Sequence, residues 1–237
     1  MPITMQPQPS QSARWLDEIT TAFAPAIRLL RVLLPALLVL SLSNVAHAQG
    51  TMDFSGAQTL MGTFKTTLMK AILDHIPPTE RLVIIEQPAE LKVSHPNAVR
   101  WEAVEEIPGQ VAITSSELVA AALRHRPDRI IMGEIRNECG YDLLQAMNTG
   151  HGGTLSTIHA KSAQDALNRL SNLALSARPN LNHSFMRSKT AEAIDFVLHC
   201  ERDHTGRRRV RELITVSGYD HADQRFQTEE VYRAPPG

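Results

Sequence analysis

Pro127-Asp-Arg-Ile-Ile-Met-Gly-Glu134 and Thr149-Gly-His-Gly-Gly-Thr-Leu-Ser-Thr-Ile-His-Ala160 decide the fold between them. Arg129 to Gly133 is a brief β-branched apolar run entered from a Pro-Asp turn, which predicts a buried strand. Gly153 to Ile158 leaves a glycine-rich turn and predicts another. Tyr141 to Asn148 lies between them with helical spacing and ends at Thr149-Gly150, a pair that stops helices. Working outward, Arg81-Leu-Val-Ile-Ile-Glu86 is a third such run, closed by Gln87-Pro88. Thr114-Ser-Ser-Glu117 has capping-box spacing ahead of Leu118 to Leu123. Ser162 caps a further helix through about Ala174, with apolar residues at Ala163, Ala166, Leu167 and Leu170. Strands alternating with helices of this length imply an α/β fold, its mainly parallel sheet covered on both faces. Ile194 to Cys200, Arg208 to Val216 and Arg225 to Tyr232 read as extra C-terminal strands, at the sheet edge or in a small flanking sheet.

The 237 residues are 43% apolar, which excludes disorder along the whole chain. With 24 Lys+Arg against 25 Asp+Glu, the net charge is -1. Such a balance sets up no global field toward nucleic acid or anionic lipid, so any polyanion must be held locally and no sequence-specific nucleic-acid binding is predicted. Cys139 and Cys200 have no metal-ligand spacing and read as reduced thiols.

The first fifty residues have a different texture. Arg28 and Arg31 precede an apolar run from Val32 to Leu42, then Ala46-His-Ala48-Gln49. Basic region, short apolar core and small-x-small site make a secretory signal pattern. The run is too short to span a bilayer, which takes about 20 residues. An amphipathic or buried N-terminal hydrophobic helix is the alternative. The expected organisation is a signal-like or membrane-targeting segment at 1–50, a linker at 51–64 and the α/β domain at 65–237.

Binding a nucleoside triphosphate takes a lysine for the β/γ phosphates, a hydroxyl for Mg²⁺ and acids at nearby strand ends. Lys65-Thr66-Thr67-Leu68 runs into a helix at Met69 to Leu73, where a helix N-terminus can meet phosphate. Glu134 and Glu86 end two strands at the edge where ligands bind in open α/β sheets. Two carboxylates converging on one crevice repel unless a cation sits between them, as Mg²⁺-nucleotide would. The glycines around His151 permit close backbone approach to a ligand, and the following strand is expected to deliver His159 to the same sheet edge.

The segment Leu123-Arg-His-Arg-Pro-Asp-Arg-Ile-Ile-Met-Gly-Glu-Ile-Arg136, with Thr149-Gly-His-Gly-Gly-Thr154 and Thr157-Ile-His-Ala160, resembles the Walker B and histidine boxes of the type II/type IV secretion ATPases. Within that family it is most similar to the TrbB-type conjugal transfer ATPases. The resemblance implies a RecA-like P-loop NTPase core that binds ATP and Mg²⁺. It implies that Glu134 is the Walker B acid, that Glu86 lies in the acidic Asp box, and that His151 and His159 couple phosphate state to motion. Lys65, Thr66, Thr67 and Gly62 would face the nucleotide, with Thr66 and Glu134 on its Mg²⁺. Arg124, Arg129 and Arg136 match arginine positions that contact phosphate or a neighbouring subunit. The implied assembly is a homo-hexamer, cytoplasmic and peripheral at the inner membrane, working with inner-membrane components to drive pilus assembly or substrate transfer.

The chain departs from the family at the P-loop. Counting back from Lys65 puts Phe64 and Thr59 where Gly-x-x-x-x-Gly-Lys-Thr has glycines, with Gly62 nearby. The Asp box reads Ile85-Glu-Gln-Pro88, with Gln where Asp is usual. Residues 1 to about 65 resemble a TrbC-type conjugative pilin precursor, so motif and composition break together, as at a junction inside the P-loop. Three functions follow as expectations: a motor ATPase subunit, a non-hydrolysing ring partner, and an exported pilin-like structural protein. An exported ATPase would find no ATP, so the signal-like run and the motor exclude each other.

Overall fold

The computed structural model describes residues 38–42, 68–105, 108, 111–136, 139–202 and 208–234. They form an eight-stranded sheet ordered β3-β2-β4-β5-β1-β6-β7-β8. The strands are β1 (Leu38–Leu42), β2 (Leu82–Glu86), β3 (Ala98–Glu102), β4 (Arg129–Met132), β5 (Leu155–His159), β6 (Phe196–Arg202), β7 (Arg208–Asp220) and β8 (Arg225–Arg233). Neighbours from β3 through β6 pair in parallel, while β7 and β8 are antiparallel additions at the edge. Of the two placements open to the C-terminal strands, the sheet edge is the one observed.

The helices α1 (Ser115–Ala122), α2 (Cys139–Asn148), α3 (Ala163–Ala177) and α4 (His183–Ala193) carry the crossovers. Thr114 caps α1 as its spacing predicts: its side chain accepts the Glu117 N–H, and the Glu117 carboxylate accepts the Thr114 N–H. The Thr114 N–H and the Thr114 hydroxyl both donate to that carboxylate, and they lower the Glu117 carboxyl from its ordinary value. Ser162 caps α3 by accepting the Asp165 N–H at 3.0 Å. Alternate residues of β2 face opposite ways: Val83 and Ile85 join the core beneath α1–α4, whereas Leu82 and Ile84 are equally buried on the other face. Residues 68–73 are helical and bury Leu68, Met69 and Leu73.

Leu38–Leu42, which closes the run read as a signal core or alternatively as an N-terminal hydrophobic helix, is the strand β1 between β5 and β6. A five-residue apolar run suits a strand with neighbours on both sides as well as it suits a signal core, and periodicity cannot separate the two. The remainder of the signal-like segment, the linker at 51–64, Lys65, Thr66, Thr67 and Gly62 lie outside the described residues.

Candidate functional site

Because β2, β4, β5 and β1 run parallel, their C-terminal ends share one sheet edge. Glu86 ends β2, Glu134 follows β4 by two residues, and His159 ends β5. Leu42, the last residue of β1, pairs in register with His159, so the chain leaves β1 at this same edge. The sequence between β1 and the helical residues 68–73 contains Lys65 and Thr66. That order along the sequence is the one a phosphate-binding motif requires.

Glu134 is the centre of the constellation. Its Oε1 lies 3.1 Å from His159 Nε2, and its Oε2 accepts from Arg136 Nε at 3.1 Å and Nη2 at 2.8 Å. The side chain is 19% exposed and that of Arg136 54%. A carboxylate reachable from solvent and held by side chains can exchange its partners, whereas one held by backbone cannot do so without unfolding a turn. The backbone carrying it is fixed from β5: Ile135 N–H donates to Thr157 O at 2.8 Å, and the Thr157 hydroxyl donates to Gly133 O at 2.5 Å. Thr157 was not singled out from sequence beyond its place in the histidine box. A threonine between two strand-end functional groups was the available signal.

Glu86 stands on the same edge but is turned inward. Its Oε1 accepts the N–H groups of Glu90 at 2.9 Å and Leu91 at 2.7 Å, and its Oε2 accepts Arg100 Nη2 at 3.3 Å. Each acid thus has its own cationic neighbour, Arg100 or Arg136, and their mutual repulsion is answered without a shared cation.

The opposite edge holds His151. The turn 149–154 precedes β5 and His159 ends it, so one strand of about 13 Å separates the two histidines. The expectation that both reach one edge does not hold. His151 Nδ1 donates to Ala146 O at 3.2 Å, as do the Thr149 hydroxyl at 2.9 Å and the Thr149 N–H at 3.3 Å, closing the C-terminus of α2. Arg124, exposed in the single 3-10 turn Leu123–His125, also lies on this edge, before β4 begins. Arg129, at the start of β4, pairs with Glu80, its Nη2 3.1 Å from Oε1, and its Nη1 reaches Gly153 O at 3.4 Å. The three arginines are therefore not one cluster: Arg136 alone is beside Glu134.

Gly153 (φ +75°) and Gly150 (φ +99°) both adopt left-handed backbone, but only Gly153 is also crowded. A Cβ there would sit 2.0 Å from Arg129 Nη1, while one at Gly150 meets nothing within 4 Å. Gly150→Ala should therefore cost the backbone strain alone, about 1–3 kcal/mol. Gly153→Ala adds to the same strain a displacement of the Arg129 guanidinium from Glu80 and the Gly153 carbonyl. Urea unfolding of the two variants beside the parent is expected to show Gly153→Ala with much the lower midpoint.

Cys139 and Cys200 are free and buried. Burial pushes the Cys139 thiol up and the Cys200 thiol to about 12, so neither offers a thiolate at neutral pH. Among the described residues no group of three His, Cys, Asp or Glu side chains could hold a metal ion by itself. Glu134, 19% exposed at this edge, is an oxygen donor of the kind Mg²⁺ takes, and a single carboxylate would leave its other positions to phosphate oxygens and water.

The family model described as type II/IV secretion system protein matches residues 35–231. This chain belongs to that family. The match takes in β1, which begins at Leu38. Among relatives in the secretion family, the chain is 39% identical over 171 residues to the conjugal transfer protein TrbB of Rhizobium radiobacter, covering 71% of this chain and 49% of that one. It is 36% identical over 139 residues to VirB11 of Agrobacterium fabrum, covering 58% of this chain and 40% of that one. The crystal structure of the VirB11 ATPase from the Brucella suis type IV secretion system, in complex with sulphate, superposes with a TM-score of 0.64 at 28% identity, covering 88% of this chain and 60% of that one. The chain spans about half the length of the curated relatives it matches.

Proposed function

We propose that this chain binds ATP with Mg²⁺ and hydrolyses it as a subunit of a conjugal transfer or type IV secretion apparatus. The observation that carries the reading is the single sheet edge where Glu134, His159 and the exit from β1 meet, in a chain of the secretion family. Lys65 and Gly62 face the phosphates, and Thr66, beside Thr67, presents its hydroxyl to the metal. Thr66 would help hold Mg²⁺, which would supply positive charge against the phosphates. Arg136 turns from Glu134 to the nucleotide. The released carboxylate orients the attacking water and accepts its proton. His159, bonded to the same carboxylate, registers whether the phosphate is present. His151 acts from the other edge by fixing the turn that leads into β5, and Arg124 faces a neighbouring subunit. The assembly is a homo-hexamer on the cytoplasmic side of the inner membrane, meeting inner-membrane components and driving pilus assembly or substrate transfer. No helix among the described residues is long and apolar enough to cross a membrane.

A second reading, a non-hydrolysing ring partner, is favoured by Gly62-Thr-Phe-Lys65 in place of the glycine pair. The exported pilin reading has a structural cost, since cleavage after Ala48 would remove β1 from between β5 and β6. Mg²⁺-dependent ATP turnover by the full chain, beside Lys65→Ala, separates the first two. Loss of turnover by about 100-fold or more in the variant supports hydrolysis through this loop. Binding without turnover in the parent supports the ring partner.

A further inference from the structure

We propose that Glu212, on the antiparallel strand β7, is a positioning residue for His159: it holds the start of α3 and so fixes the short link that runs back to the histidine. That His159 serves nucleotide chemistry rests on the ATPase reading above, while the mechanical link stands alone. A carboxylate placed out of solvent is costly unless it is paired and hydrogen-bonded. The Glu212 side chain is 9% exposed, and its two oxygens serve different elements. Oε1 accepts the Ala163 N–H, the first of α3, at 2.7 Å, and Oε2 lies 3.1 Å from Arg233 Nη2 on β8.

A helix leaves its first N–H groups without partners inside the helix, and its N-terminus favours an anion. The start of α3 meets this need partly from its own sequence: Ser162 Oγ accepts the Asp165 N–H at 3.0 Å, and Asp165 Oδ2 accepts the Lys161 N–H at 2.8 Å. The Ala163 N–H goes instead to a carboxylate 49 residues away, on another element. Between Ala163 and His159 lie three residues, of which Ala160 is buried. With two soft dihedrals per residue, so short a link passes on a displacement of the helix start with little loss. At its other end His159 Nε2 stands 3.1 Å from Glu134 Oε1. Such contacts run from about 2.7 to 3.2 Å, so this one has little slack. Leu42 pairs with His159 on one side and Cys200 on the other, and Cys200 pairs with Val210, so β7 lies three strand spacings from β5, about 14 Å. At that separation the Glu212 carboxylate does not reach His159. The route from one to the other is the start of α3.

Acceptor and charge are separated by substitution in the full chain. Glu212→Gln keeps a carbonyl oxygen for the Ala163 N–H, while Arg233, 49% exposed, stays with Glu230, whose Oε2 is 2.6 Å away. Glu212→Ala removes the acceptor. Three readouts are taken: amide hydrogen exchange at Ala163, the ¹⁵N resonance of His159 Nε2 without nucleotide, and kcat and KM for ATP. In the Gln variant all are expected near the parent, with kcat within about threefold. In the Ala variant Ala163 exchange is expected to speed up by about tenfold or more and the His159 resonance to move. Its kcat is expected to fall about tenfold or more, with KM within about threefold. An Ala variant whose Ala163 exchange or His159 resonance stays at the parent's value overturns the proposal. So does a Gln variant that loses as much as Ala with Ala163 exchange unchanged, which assigns the effect to charge. Should Glu212→Ala not fold, Glu212→Asp, a methylene short of Ala163, carries the same comparison. A moved resonance with kcat unchanged leaves the link standing and removes His159 from the reaction. If the parent shows no turnover, the ATPase reading fails, and the His159 resonance decides the proposal by itself.

Discussion

Glu134→Gln is expected to lower ATP turnover by about 100-fold or more while leaving Mg²⁺-ATP affinity within about threefold. The substitution changes one atom and keeps the shape. The Gln carbonyl still accepts from Arg136, which lies 2.8 Å away in the parent, and the amide can still bond His159 across the 3.1 Å contact. What disappears is a group able to take a proton from water. Proton transfer by a positioned side chain is worth roughly 10²–10⁴ in rate, which sets the size of the loss. Stability should barely move, because the side chain is partly exposed and the substitution keeps its shape. Single-turnover hydrolysis with nucleotide binding followed separately distinguishes the cases. A fall in kcat with unchanged binding supports Glu134 as the base. Unchanged turnover assigns water activation to another group, and a fall in binding alone assigns Glu134 to the metal.

That prediction uses the part of the molecule most legible from sequence. β4 and β5 are runs of four and five residues, β4 entered from Pro127-Asp128 and left at Gly133, β5 entered from Gly153-Thr154, and both strands are buried along nearly their whole length. A fully buried parallel strand writes itself as a continuous apolar run, and the residue that ends it must lie on the ligand edge. Glu134 followed from the apolar run of β4, and His159 from the glycine-rich turn that leads into Leu155-Ser-Thr-Ile158. β3 was silent because it is half-covered: Ala98-Val-Arg-Trp-Glu102 shows neither an apolar run nor clean alternation, and Arg100, the partner of Glu86, was hidden with it. α4 was silent for a related reason, since only Met186, Thr190, Ala191 and Ala193 of its eleven residues are buried and its character is largely polar. β1 was read but placed elsewhere, because basic residues before it and Ala46-His-Ala48 after it outweighed a run too short to declare its own geometry. His151 shows a different limit. The glycines beside it do mark a strained turn, as the sequence suggested, but what approaches Gly153 is the Arg129 guanidinium and no ligand is needed to explain it.

Restoring glycine at both loop positions, Thr59→Gly with Phe64→Gly, is expected to tighten Mg²⁺-ATP binding by about tenfold or more. A phosphate loop aims successive N–H groups inward through backbone conformations that glycine adopts freely, and a bulky residue held there costs about 1–3 kcal/mol. At 1.4 kcal/mol per factor of ten, most of that range lies at or above a tenfold effect. Titration of the parent, the repaired chain and the repaired chain carrying Lys65→Ala checks the assignment. A gain that Lys65→Ala abolishes places the loop on the phosphates. A gain indifferent to Lys65, or none, means nucleotide is not held there, and the ring-partner reading replaces the motor.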